Sequence, residues 1–217
     1  MPDPIETTLA PALNERTAIG QVLIQRTNSN GFALCHRDDK DGADLEIFRK
    51  PEEAIELARY DDDGNYRPLK TAPDLRRGWR LEVSNLQELQ RALDCLYPGR
   101  LAMLGAWRHD RLTTTSLRDT LNRQSGMYRV AAKISDEQID NVVGNFCRSN
   151  GGCLRTILWK RDGQETVPSK SLPPDKFDPA HDQTGRGEPA VPLLCQEACN
   201  LLVAECRKIV KAETKQE

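Results

Sequence analysis

The sequence predicts an α+β protein, with a small N-terminal α/β domain of hairpin strands and two helices followed by a mainly helical domain. Three observations carry that expectation. Short β-branched and apolar runs broken by turn residues fill the first half of the chain. The stretches with helical periodicity carry recognisable caps and stops. Five of the seven cysteines fall between Cys147 and Cys206, so the second half has its own chemistry. The expected organisation is a flexible leader over residues 1–17, an α/β domain over 18–112 and a cysteine-bearing domain over 113–217.

Taken in order, Ile19–Arg26 is a strand, Asn28–Gly31 has turn chemistry and Phe32–Arg37 is the returning strand of a hairpin. Asp38–Asp44 is a charged loop, and Leu45–Phe48 is a short strand. Pro51 then opens a helix through Tyr60, with Glu52 and Glu53 early, where acidic side chains complement the helix dipole. Tyr66–Thr71 and Gly78–Val83 read as two more strands. Ser84, with Asn85 competing, caps a helix from Leu86 to Tyr97 that stops at Pro98-Gly99.

The domain boundary is expected near Arg108–Thr115. Ser116 caps a helix over Leu117–Gln124, closed by Gly126. Ser135 and Gln138 form a capping box, opening a helix whose apolar stripe is Ile139, Val142, Val143 and Phe146. Leu154–Lys160 reads as a strand. Residues 165–192 hold six of the 13 prolines and read as a long polar loop. A last amphipathic helix is expected from about Leu193 to Ala212, with Glu213–Glu217 frayed.

Composition excludes several classes. The 217 residues carry 31 Lys and Arg against 33 Asp and Glu, a net charge of −2, so bulk charge does not steer the chain to nucleic acid or another polyanion. No run approaches 18 consecutive apolar residues, and Met1–Thr17 lacks the basic start and apolar core of a signal peptide. A cytoplasmic protein that does not enter membranes is expected. An odd number of cysteines in such a chain argues against a disulfide framework.

The cysteines instead pair by spacing. Cys195 and Cys199 are four apart at the expected start of the last helix, which would put both sulfurs on one face about one turn, roughly 6 Å, apart. Cys206 would lie about 10 Å further along that axis, too far to join a compact centre. Cys147 and Cys153 bracket Arg148-Ser149-Asn150-Gly151-Gly152, where glycines allow a sharp turn. Pairing Cys147 and Cys153 with Cys195 and Cys199 gives four thiolates, a donor set that suits zinc or an iron–sulfur cluster. Zinc knuckles usually bring cysteines two to four residues apart on tight turns, whereas the first pair encloses five residues and the second is expected on a helical turn, which favours the larger centre. Arg148, Arg155 and Lys160 flank the first pair, where they can offset the negative charge of a cluster. Taken singly, each cysteine also fits an ordinary core position; Cys35 and Cys95 are read that way.

Other chemistry is sparse. His36, His109 and His181 lie in separate segments without helical metal-ligand spacing, and each is read as structural or superficial. No glycine-rich phosphate loop occurs. Arg123, Arg129, Arg148, Arg155, Lys160 and Arg161 can form one basic face, either to grip an acidic substrate or to compensate a cluster. Trp79, Trp107 and Trp159 are read as core or interface anchors. No catalytic residue can be assigned. A zinc-stabilised interaction module without redox activity is the competing reading, and an iron–sulfur transcriptional sensor would need a basic recognition helix that is not evident.

Leu75–Leu81, Tyr97-Pro98-Gly99, Arg123–Arg129, Phe146-Cys147 with Cys153–Trp159, and Cys195–Leu201 together resemble the C-terminal region of the long, iron–sulfur-carrying form of the sirohydrochlorin cobaltochelatase family. The similarity spans about residues 19–210. It implies a stabilising domain followed by a [4Fe-4S] domain, with Cys147, Cys153, Cys195 and Cys199 as cluster ligands and Cys206 unassigned. The sequence departs from the family's pattern in one respect: the chelatase domain with its metal-handling histidines is not matched in these residues. The chain would then be an accessory redox, electron-transfer or iron-handling component of tetrapyrrole metallation, acting with a separately encoded sirohydrochlorin chelatase or redox partner.

Overall fold

Six helices and eight strands make up the described part of a computed structural model, which covers residues 9–13, 16–60, 75–123, 133–143, 155–162, 190–191 and 193–214. The expected strand at Tyr66–Thr71, the loop at 165–189, Phe146, Cys147, Cys153, His181, Arg129 and Arg148 lie outside those residues. The fold class is the expected α+β. The described residues form two compact units. One runs to Arg111 and takes in Ala190, Val191 and Leu193; the other holds the residues from Leu112 onward and from Leu194 onward.

The first unit is built on a six-stranded sheet. Its strands are β1 (Arg16–Ile19), β2 (Val22–Arg26), β3 (Phe32–His36), β4 (Glu46–Phe48), β5 (Trp79–Val83) and β7 (Ala190–Val191), in the order β4-β5-β3-β2-β1-β7. The inner pairs are antiparallel, whereas β4 with β5 and β1 with β7 are parallel. The single strand expected over Ile19–Arg26 is in fact the end of β1, a tight turn and β2. Gly20 permits the turn with φ +57°, a left-handed conformation in which other residues are strained. Along β5, Trp79, Leu81 and Val83 are buried while Arg80 and Glu82 are half-buried, the two-residue alternation of a strand.

A short 3₁₀ turn at Pro51–Glu53 leads into helix α1 (Ala54–Arg59), which packs against α2 (Leu86–Leu96). Buried Leu89, Ala92, Leu93 and Leu96 give α2 one apolar stripe. Asn85, not Ser84, caps it: the Asn85 side-chain oxygen accepts the Glu88 N–H at 2.9 Å, and the Ser84 N–H donates to the Glu88 carboxylate at 2.7 Å. Pro98-Gly99 does not end helical structure. Gly99, at φ +71°, redirects the chain into a further helix, α3 (Arg100–Arg108), which buries Leu101 and Leu104.

The second unit contains α4 (Leu117–Arg123), α5 (Asp136–Val142), α6 (Asn200–Glu213), β6 (Arg155–Ile157) and, from Leu194 onward, its partner strand β8 (Leu193–Cys195). The expected capping box forms on α5: Gln138 N–H donates to Ser135 Oγ at 3.3 Å, and Ser135 N–H donates to Gln138 Oε1 at 2.8 Å. The Asp119 N–H donates to Ser116 Oγ, so Ser116 satisfies one of the unpaired amides at the start of α4. Leu117, Leu121, Ile139, Trp159, Val203 and Cys206 lie at the heart of one apolar core.

Candidate metal centre

The last helix begins seven residues later than its periodicity predicts. Leu193-Leu194-Cys195 pairs with β6 as a strand, because its backbone is claimed from outside: Leu158 N–H donates to the Cys195 carbonyl at 2.9 Å, and Thr115 N–H to the Gln196 carbonyl at 3.1 Å. Carbonyls engaged in this way are not taken up by an i→i+4 ladder. Cys195 therefore ends a strand, and Cys199 sits at the N-cap of α6 with extended backbone, φ −76° and ψ 160°. The expected placement of both sulfurs on one helical face is corrected accordingly.

Both cysteines are half-buried at the edge of the apolar core. The Cys195 sulfur accepts the Trp159 indole N–H at 3.3 Å, and its thiol donates to the Glu197 carbonyl at 3.2 Å. The second bond belongs to the protonated thiol and is lost when the sulfur becomes a metal ligand. At Cys199 the side chain makes no capping bond, and the open amides of the 14-residue α6 put partial positive charge beside it. A strand end and a helix start thus present two soft donors in a setting that accommodates negative charge, as a thiolate-held cluster requires. Among the described residues no three His, Cys, Asp or Glu side chains form a metal-binding group. These residues supply two of the four expected sulfurs, and Cys147 and Cys153 lie outside them.

Cys206 is different. It is fully buried in the core of the second unit, where burial pushes its thiol up to about 11. Cys35 on β3 and Cys95 on α2 are half-buried rather than fully enclosed, and burial, with Asp94 and Glu52 nearby, raises the Cys95 thiol. His36 is structural: it is buried, and its Nδ1 accepts the Asp38 N–H at 3.1 Å. His109 is exposed at the end of α3.

The expected basic face is partly neutralised. Arg161 is bound to Asp140 at 3.1 Å and lies 3.9 Å from Asp136, which also pairs with Arg118. Arg123 and Lys160 are exposed. No helix among the described residues is long and apolar enough to cross a membrane. The residue that spacing could not single out is Trp159. As an aromatic in the expected strand Leu154–Lys160, which in the structure ends at Ile157, it reads as a core or interface anchor; it is buried in the core, and no motif in the sequence announces its bond to Cys195.

With this geometry in place, comparison with known proteins defines the class. Residues 109–208 match a 4Fe-4S iron–sulfur cluster binding domain, so the chain is a [4Fe-4S] cluster-binding protein. Residues 8–110 match the DR2241 stabilising domain, and the two domains stand in tandem. A similar solved structure is that of DR2241 from Deinococcus radiodurans, described as a multi-domain protein with structural similarity to chelatases and two additional novel domains. The two proteins are 30% identical with a TM-score of 0.70, over 96% of this chain and 41% of that one. The chain thus spans about two fifths of the relative's length. None of the curated proteins matches it. The resemblance read from the sequence is borne out in its stabilising and cluster-binding domains.

Proposed function

We propose that Cys147, Cys153, Cys195 and Cys199 hold the [4Fe-4S] cluster, and that the protein is a cytoplasmic accessory component of sirohydrochlorin or related tetrapyrrole metal chelation. It would supply electrons or iron to a sirohydrochlorin chelatase or to a redox partner. The observation that carries the ligand assignment is the setting of Cys195 and Cys199: both sulfurs lie at element ends inside the matched cluster-binding stretch, one with an N–H donor and one at a helix N-terminus. The tetrapyrrole role is supported by the tandem domains shared with a relative described as similar to chelatases. When bound, the cluster supplies one-electron chemistry. This chain's own residues fix its ligands, shield them with the packed core around Trp159 and Val203, and offset charge.

The test is anaerobic purification or reconstitution, with visible spectra and counts of iron and acid-labile sulfide. Brown protein with about four irons per chain, lost in each of Cys147→Ala, Cys153→Ala, Cys195→Ala and Cys199→Ala, is expected. Colourless protein holding one zinc overturns the cluster reading, and a full cluster retained in any of the four variants overturns the ligand reading. For the tetrapyrrole role, the reduced protein is mixed with a sirohydrochlorin chelatase and its substrate. A rate of metal insertion that does not respond to the loaded protein overturns it.

A further inference from the structure

We infer that Trp159 is a positioning residue for the cluster, its indole N–H holding the Cys195 sulfur and raising the reduction potential of the centre. The inference rests on Cys195 being a ligand. Two consecutive residues beyond β6 grip that cysteine: the Leu158 amide takes its carbonyl at 2.9 Å, and the Trp159 indole takes its sulfur at 3.3 Å. Trp159 is 1% exposed and packed into the core of the second unit, which holds its ring in place.

The chemistry follows from what an indole can do. Its nitrogen is a donor only, and a buried donor needs an acceptor. A thiol is a weak acceptor and a thiolate a stronger, charge-assisted one. When a one-electron donor reduces a thiolate-bound centre, part of the added charge falls on the ligand sulfurs. A fixed N–H aimed at one of them is then worth more in the reduced state than in the oxidised one, which shifts the potential upward. One electron moves and no proton is required.

The deciding experiment compares anaerobically loaded wild-type protein with Trp159→Phe, which keeps an aromatic ring but removes the donor. Redox titration followed by electron paramagnetic resonance should give a lower potential in the variant, with iron and sulfide content unchanged. Pulsed resonance on dithionite-reduced wild-type protein carrying ¹⁵N-indole tryptophan should show a nitrogen coupling to the centre, and this second measurement stands even if the variant fails to load. Equal potentials in two fully loaded proteins, or no nitrogen coupling in loaded and reduced wild type, would overturn the inference while leaving the ligand assignment intact. A Cys195→Ala protein that keeps its full cluster would overturn both.

Discussion

The Leu158 amide donates to the carbonyl of Cys195 at 2.9 Å, so the residue that offers a sulfur also closes the pairing of two short strands. A cysteine on a paired strand end has its backbone restricted before any metal arrives. Cys199 is restricted differently, by the first turn of α6, whose Val203 N–H donates to the Cys199 carbonyl at 3.1 Å. Pre-set donors of this kind lower the cost of ordering a site when it fills.

The clearest expectation separates ligand from core among three cysteines near the C-terminus. Cys195→Ala and Cys199→Ala should each lose most of the iron and the visible absorption. Cys206→Ala should keep both and lose only about 1 kcal/mol of stability, the order expected for trimming one buried heavy atom. Iron analysis and denaturant unfolding of the three variants check this together.

Cys206 also makes stability depend on alkaline pH. Its folded value, about 11, lies above the ordinary thiol value of 9.0, so the native state holds its proton longer than the unfolded chain does. The contribution is fully present below pH 9.0, is lost as pH rises toward about 11, and then levels off. The loss should be on the order of 2 kcal/mol. Unfolding free energies at pH 8 and pH 11 should therefore fall further for the wild type than for Cys206→Ala, and equal slopes would count against it.

The capping box of α5 gives a third expectation. Ser135→Ala leaves the Gln138 amide without its side-chain acceptor and should cost about 1 kcal/mol, seen as a melting temperature lower by a few degrees. Ser135→Asp restores an acceptor and should recover most of the loss. Circular dichroism on the three proteins is sufficient.

Glycines supply a contrast within the first unit. A Cβ on Gly20 would meet Tyr97 Oη at 2.7 Å and Leu193 Cδ1 at 2.8 Å, at φ +57°, whereas one on Gly78, at φ +76°, meets nothing within 4 Å. Gly78→Ala should cost about 1 kcal/mol from backbone strain alone. Gly20→Ala should cost more, because the Tyr97 hydroxyl that accepts the Gln21 N–H is displaced as well. Similar losses in both, by urea unfolding, would show that the Gly20 surroundings yield.

Local signals account for what the sequence determined unaided. The Ser135–Gln138 box, the Ser116 cap and the alternating strand Trp79–Val83 each depend on residues within a few positions of one another, and each forms as read. The cluster-binding class was legible through the strings shared with a known family, because thiolate chemistry by itself suits zinc as well as a cluster. Where tertiary structure decided, the competing partner came from far along the chain. Leu193–Cys195 has the composition for a helix, yet Leu158 and Thr115 take the carbonyls of Cys195 and Gln196, so a strand forms and moves Cys199 to the helix N-cap. Trp159 became a donor to sulfur only because β6 and β8 lie side by side, 36 residues apart in sequence at the bond itself. Periodicity describes what a segment can bury against a generic core, whereas hydrogen bonds from distant amides select which backbone it adopts and which way a ligand faces.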